Sequence, residues 1–80
     1  MYFVEMFTTK GVRVYVAIGT GSTMAAAQWV GSNFCTRRGL VAPKWVVVGD
    51  GEAISQPFVF NDQQVFLQIR NQFEESFDRG

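Results

Sequence analysis

The chain has 80 residues, seven basic and seven acidic side chains for a formal net charge of zero, no histidine and one cysteine. Zero net charge argues against the extended basic footprint of a duplex-binding protein. The missing histidine removes the commonest general base and metal ligand, and a lone Cys35 rules out an intramolecular disulfide, as fits a reducing, cytoplasmic setting.

Eighty residues make a single compact domain, 1–80, with one core. A chain this short buries only about 60–65% of its unfolded surface, but 48% hydrophobic residues and eight phenylalanines supply the material. No charged segment leads into a long apolar run. Val14–Thr36, the longest uncharged stretch, is broken by glycines and polar residues. Neither a signal peptide nor a membrane span is expected.

Tyr2–Phe7 alternates and is rich in β-formers, and Thr8-Thr9-Lys10-Gly11 reads as a hairpin loop with Gly11 free to take positive φ. Val12–Ile18 follows as the clearest strand. Its period of two places Val12, Val14, Val16 and Ile18 toward the core and Arg13, Tyr15 and Ala17 away from it. Gly19-Thr20-Gly21-Ser22 is a turn ending at a helix N-cap, predicted at Ser22. The helix runs to about Arg38, with Met24, Ala27, Gly31 and Phe34 facing the sheet. Arg37 and Arg38 suit the negative end of the helix dipole, Gly39 terminates it, and Leu40 folds back on the last turn.

Lys44–Val48 is predicted to be a central valine-rich strand. Gly49-Asp50-Gly51 is a tight turn, and Glu52–Gln56 an edge strand before Pro57. Asn61 is predicted to open a second helix. Gln64 completes an Asn-x-x-Gln capping box, Phe60 and Val65 form a staple, and Phe66, Ile69, Phe73 and Phe77 make the apolar stripe. The expected fold is α+β in the order β-β-α-β-β-α: a four-stranded, mainly antiparallel sheet with both helices packed on one face.

Chemistry has little to stand on. Gly19-Thr20-Gly21-Ser22-Thr23 sits where glycine loops cradle phosphates. It lacks the Lys of a P-loop, and Met24 stands in place of the third glycine of a dinucleotide fingerprint. Ala17-Ile18-Gly19-Thr20-Gly21-Ser22 with Ala25-Ala26-Ala27 resembles a strand-glycine-helix segment of proteasome-like hydrolases. That likeness spans about a dozen residues, and Met1-Tyr2 replaces the terminal threonine nucleophile of those enzymes. No catalytic residue, metal site or cofactor is expected, and Cys35 reads as a small buried or half-buried filler.

Binding is the better-supported role. Residues 1–50 carry five basic groups (Lys10, Arg13, Arg37, Arg38, Lys44) against two acids, whereas residues 51–80 carry two basic groups and five acids. The domain is thereby polarised. Two contact sets follow: an acidic one, Glu52, Glu74, Glu75 and Asp78, and a basic and aromatic one, Arg13, Tyr15, Trp29, Arg37, Arg38 and Lys44. The leading function is a non-enzymatic protein-interaction module. The alternatives are a single-stranded nucleic-acid binder using an aromatic and basic sheet face, and a small phosphate-ligand protein or enzyme using the Gly19–Ser22 loop. Homodimerisation also fits the high apolar content.

Val14-Tyr15-Val16, Ser22-Thr23-Met24-Ala25-Ala26-Ala27 and Pro43-Lys44-Trp45-Val46-Val47-Val48-Gly49 occur in a layout that resembles small phage-encoded anti-CRISPR proteins. The resemblance implies a stoichiometric inhibitor in the host cytoplasm that binds a CRISPR effector complex and blocks DNA binding or nuclease recruitment. It points to acidic residues, here Glu52, Glu74, Glu75 and Asp78, that occupy a basic nucleic-acid site, with the basic set Arg13, Arg37, Arg38 and Lys44 as the other candidate.

Overall fold

A computed structural model describes residues 1–71, without the side chains of residues 15–17. Its elements are β1 (Tyr2–Thr8), β2 (Arg13–Gly21), α1 (Met24–Thr36), β3 (Trp45–Gly49), β4 (Glu52–Ser55), β5 (Phe58–Phe60) and β6 (Gln63–Asn71). All pairings are antiparallel, in the order β2-β1-β6-β4-β3, with β5 also on β6.

The expected four-stranded sheet with two helices does not form. Among the described residues there are six strands and a single helix. Where a second helix was predicted from Asn61, Asn61 and Asp62 both take positive φ, 51° and 63°. They form the tight left-handed turn that matches strand twist in a two-residue hairpin. Gln64 pairs with Val59 instead of capping a helix, and the Phe60–Val65 staple is replaced by a Phe60–Gln63 register pair. Beyond the turn, Val65, Leu67 and Ile69 are fully buried and their neighbours are not, the alternation of a strand. Ile69 and Phe66 therefore lie on opposite faces. Phe73 and Phe77 lie outside the described residues.

β6 is the spine of the sheet. It pairs with β1 along its length, Tyr2↔Asn71 through Thr8↔Val65. On its other side β5 and β4 lie end to end, Phe58 to Phe60 against Val65 to Gln63 and Glu52 to Ile54 against Arg70 to Gln68. Between them three residues oppose two, a bulge that accommodates Pro57, which has no N–H to give. The Ser55 hydroxyl fills the gap in the ladder, accepting from the Leu67 amide at 2.9 Å in a buried setting and donating to the Gln56 carbonyl at 3.1 Å.

Two strand positions are exchanged relative to expectation. β3, predicted central, is an edge, and β4, predicted at an edge, lies between β3 and β6. Valine content reports β-propensity, and both edge and interior strands satisfy it.

The N-terminal hairpin forms as the alternation implies, with Gly11 at φ 91° and Thr8 bonding Val12 across the loop. β2 departs from strict alternation. Its register against β1 shifts twice, leaving Val12 and Val14 exposed, whereas Ile18 packs on the core. The helix is capped by Thr23, whose hydroxyl accepts from the Ala26 amide at 3.0 Å, and not by Ser22. It ends at Thr36 with Arg37 as C-cap, and the turn that follows closes at Gly39, φ 77°, with the Leu40 amide returning to the Cys35 carbonyl.

The helix covers one face of the sheet. Ala27, Gly31, Phe34 and Cys35 are buried against Val4, Met6, Leu67 and Ile69. Contact is unusually close on β2. A Cβ on Gly19 would stand 2.5 Å from Val30 Cγ1, and one on Gly21 would stand 2.5 Å from the Ala27 backbone nitrogen. The glycine loop is thus the seat of the helix. Gly31 makes room in turn for Trp45 and Leu67, and the Trp45 indole N–H donates to Ser32 Oγ at 3.2 Å.

Gly21→Ala must push the helix backbone off the sheet and is expected to cost about 3 kcal/mol, the upper range for overpacking. Gly11→Ala meets no atom within 4 Å and carries only the backbone cost of positive φ, about 1 kcal/mol. Urea unfolding of the two variants checks the ranking.

Candidate interaction surface

The face away from the helix is built by simple alternation. On β1, Val4 and Met6 point to the core, so Phe3, Glu5 and Phe7 point the other way. Register places Phe3 beside Arg70, Glu5 beside Gln68 and Phe7 beside Phe66. Glu52 and Ile54 continue the rows through Arg70 and Gln68, and Val46 extends them through Ile54. Among the described residues no element covers this face.

Its centre is an aromatic and ionic cluster. The Phe7 and Phe66 rings stack with centroids 5.9 Å apart and planes 22° apart, and the Arg13 guanidinium lies 5.5 Å from the Phe7 centroid. Glu5 is only 8% exposed. Its carboxylate is 3.8 Å from Arg13 and 3.9 Å from Arg70. A carboxylate this buried is tolerable because two guanidinium groups offset its lost hydration. The face thus offers stacked rings, two partly exposed cationic groups and little net charge.

The structure splits the basic and aromatic set. Arg13 lies on the open face. Trp29, Arg37 and Arg38 gather on the helix side with Asn33 and Ile18, lining a groove of about 350 Å³. There Trp29 is 66% exposed, and Arg38 stacks on Phe34 at 3.8 Å and donates to its carbonyl at 3.2 Å. Lys44 stands at neither place, beside Pro43, Gln56, Pro57 and Phe58. The Tyr15 backbone pairs with Met6, and its side chain is outside the described set. Of the acidic set, Glu52 is exposed beside Arg70, and Glu74, Glu75 and Asp78 lie outside the described residues.

Sequence reasoning missed Glu5, Phe66 and Arg70 as surface groups. The signal was present in Gln64-Val65-Phe66-Leu67-Gln68-Ile69-Arg70, which alternates polar or aromatic with aliphatic residues as a half-buried strand does. Cys35 is fully buried, and burial raises its thiol pKa against a smaller opposing pull from Arg38. Among the described residues no group of three or more His, Cys, Asp or Glu is placed to hold a metal ion. No described helix is long and apolar enough to cross a membrane.

No protein-family model, curated protein or solved structure matches this chain.

Glu5→Ala leaves Arg13 and Arg70 facing each other without their shared counter-charge. The expected loss is about 1–2 kcal/mol, below the cost of a fully buried pair because both arginines reach solvent. An unchanged midpoint in urea would show that the ion triad contributes nothing. Cys35 supplies a separate check. Its proton is held more tightly in the folded chain, whereas an unfolded thiol ionises near pH ~8.5. Stability that is intact below that pH is therefore lost as pH rises toward the folded value, and Cys35→Ala flattens this alkaline slope relative to wild type.

Proposed function

We propose that this chain is a non-enzymatic interaction module that docks a partner macromolecule over the open face of its sheet. One arrangement supports this: the stacked Phe7–Phe66 pair with Arg13 lying on it and Arg70 alongside, on a face that no described element covers. Aromatic rings and arginine are the side chains that dominate protein interfaces, because they offer large contact area with a polar handle. The absence of histidine from the sequence favours binding over acid–base turnover. The resemblance to small phage-encoded anti-CRISPR proteins supplies the partner to try first, a CRISPR effector complex in the host cytoplasm. Glu52 and the acids of residues 72–80 remain the groups proposed to mimic nucleic-acid charge there.

The same rings and guanidinium groups also favour a second reading, a single-stranded nucleic-acid platform on which bases stack. The two readings separate in one set of measurements. Stoichiometric inhibition of target-DNA binding by effector complexes, weakened about tenfold in Arg13→Glu with the fold retained by circular dichroism, supports the protein partner. Absence of inhibition, together with salt-dependent binding of single-stranded oligonucleotides that Arg13→Glu abolishes, supports the nucleic acid. Inhibition or binding that Arg13→Glu leaves intact moves the site off the open face.

A further inference from the structure

Among the described residues the strand path ends in the edge strands β2 and β3, and the three-residue β5 is also paired on one side only. β2 is broken by two register shifts and is packed by the helix, and such irregularity blunts an edge. β3 is handled differently. Val46, Val47 and Val48 are 46%, 64% and 52% exposed, and among the described residues nothing pairs with the outer edge of the strand. A single register shift, between Val47 and Gly49, comes only where the strand enters its turn. No charge falls between Lys44 and Asp50. An uncharged valine edge of this kind is a template for another strand.

The backbone supports that use. The Gln56 amide donates to the Lys44 carbonyl at 2.8 Å, making Lys44 and Gln56 a hydrogen-bonded pair. By antiparallel alternation, the amide and carbonyl of Val47 then turn away from β4 toward the free edge. Charge placement selects the occupant. Lys44 and Asp50 stand three residues to either side of Val47 (47 − 44 = 50 − 47). In an antiparallel pairing centred on Val47, Val46 meets Val48, and Lys44, one residue before β3, comes near the Asp50 of the other copy, which lies in the turn just past the register shift. The edge is complementary to itself.

We infer that β3 is a homodimer interface, in which two copies pair this strand antiparallel about a two-fold axis through Val47. The axis runs perpendicular to the sheet, as for any antiparallel pair within one sheet. It would join the two five-strand paths into one continuous sheet, with both helices on one side and both open faces on the other. The interface is small, so association is expected to be weak and concentration-dependent. The edge is a separate surface from the open face, and the dimer stands whether or not that face binds a partner.

Sedimentation velocity on the full chain, over a concentration series into the submillimolar range, tests this. Wild type is expected to be dimeric at the upper end. Val47→Lys sets two like charges directly opposite each other at the axis and is expected to raise the dissociation constant about tenfold or more. Val47 is well exposed, so circular dichroism should show the monomer fold retained. Lys44→Asp should weaken the dimer several-fold, and Lys44→Asp combined with Asp50→Lys should restore it. A chain monomeric throughout the series, association unchanged in Val47→Lys, or no recovery in the charge swap would each overturn the inference.

Discussion

Close contact between the helix and β2 is the constraint on which the rest of the structure depends. Gly19 and Gly21 face the helix where any side chain would collide with Val30 or with the Ala27 backbone. Without that approach Ala27, Phe34 and Cys35 could not reach the core that Val4, Met6, Leu67 and Ile69 form. A domain of this size has few apolar contacts to spare, and interiors tolerate neither voids nor overlap of even a methyl group. The same glycines that resemble a phosphate cradle in the sequence are thus accounted for by packing, with the Thr23 hydroxyl serving the free helix amides.

With only one helix described, the sheet is covered on one side. The layer beneath has to manage its own polar and charged groups, and does so by local pairing: Glu5 between two arginines, Arg13 on an aromatic ring, Arg70 beside Glu52. These contacts leave the open face nearly neutral. The helix also falls short of β3 beyond Trp45, which leaves Val47 exposed on that side, while Val46 is exposed on the open face.

Irregular pairing is a second theme. Pro57 cannot donate to a ladder, so the strand opposite β6 is divided into β4 and β5, and Ser55 carries the missing hydrogen bond to Leu67 through its side chain. Register shifts in β2 and at the end of β3 likewise fall at the sheet margins. Each interrupts the simple period-two pattern on which the assignment of faces from sequence relies.

The amino-acid sequence by itself determined the local features: the first hairpin, the helix with its buried Ala27-Gly31-Phe34 stripe, the turn at Gly39 that follows it and the filler position of Cys35. All of these depend on neighbours within a few residues, whose chemistry is written in the chain. Tertiary structure decided the rest. Gln63 to Asn71 carries both a helical and a strand pattern, and pairing with β1, some sixty residues away in sequence, selects the strand because it buries Val65, Leu67 and Ile69 together. Strand order, and with it the valine edge and the Glu5–Arg13–Arg70 cluster, follows from that long-range choice. Local propensity cannot report it, since an edge strand and a central one ask for the same residues.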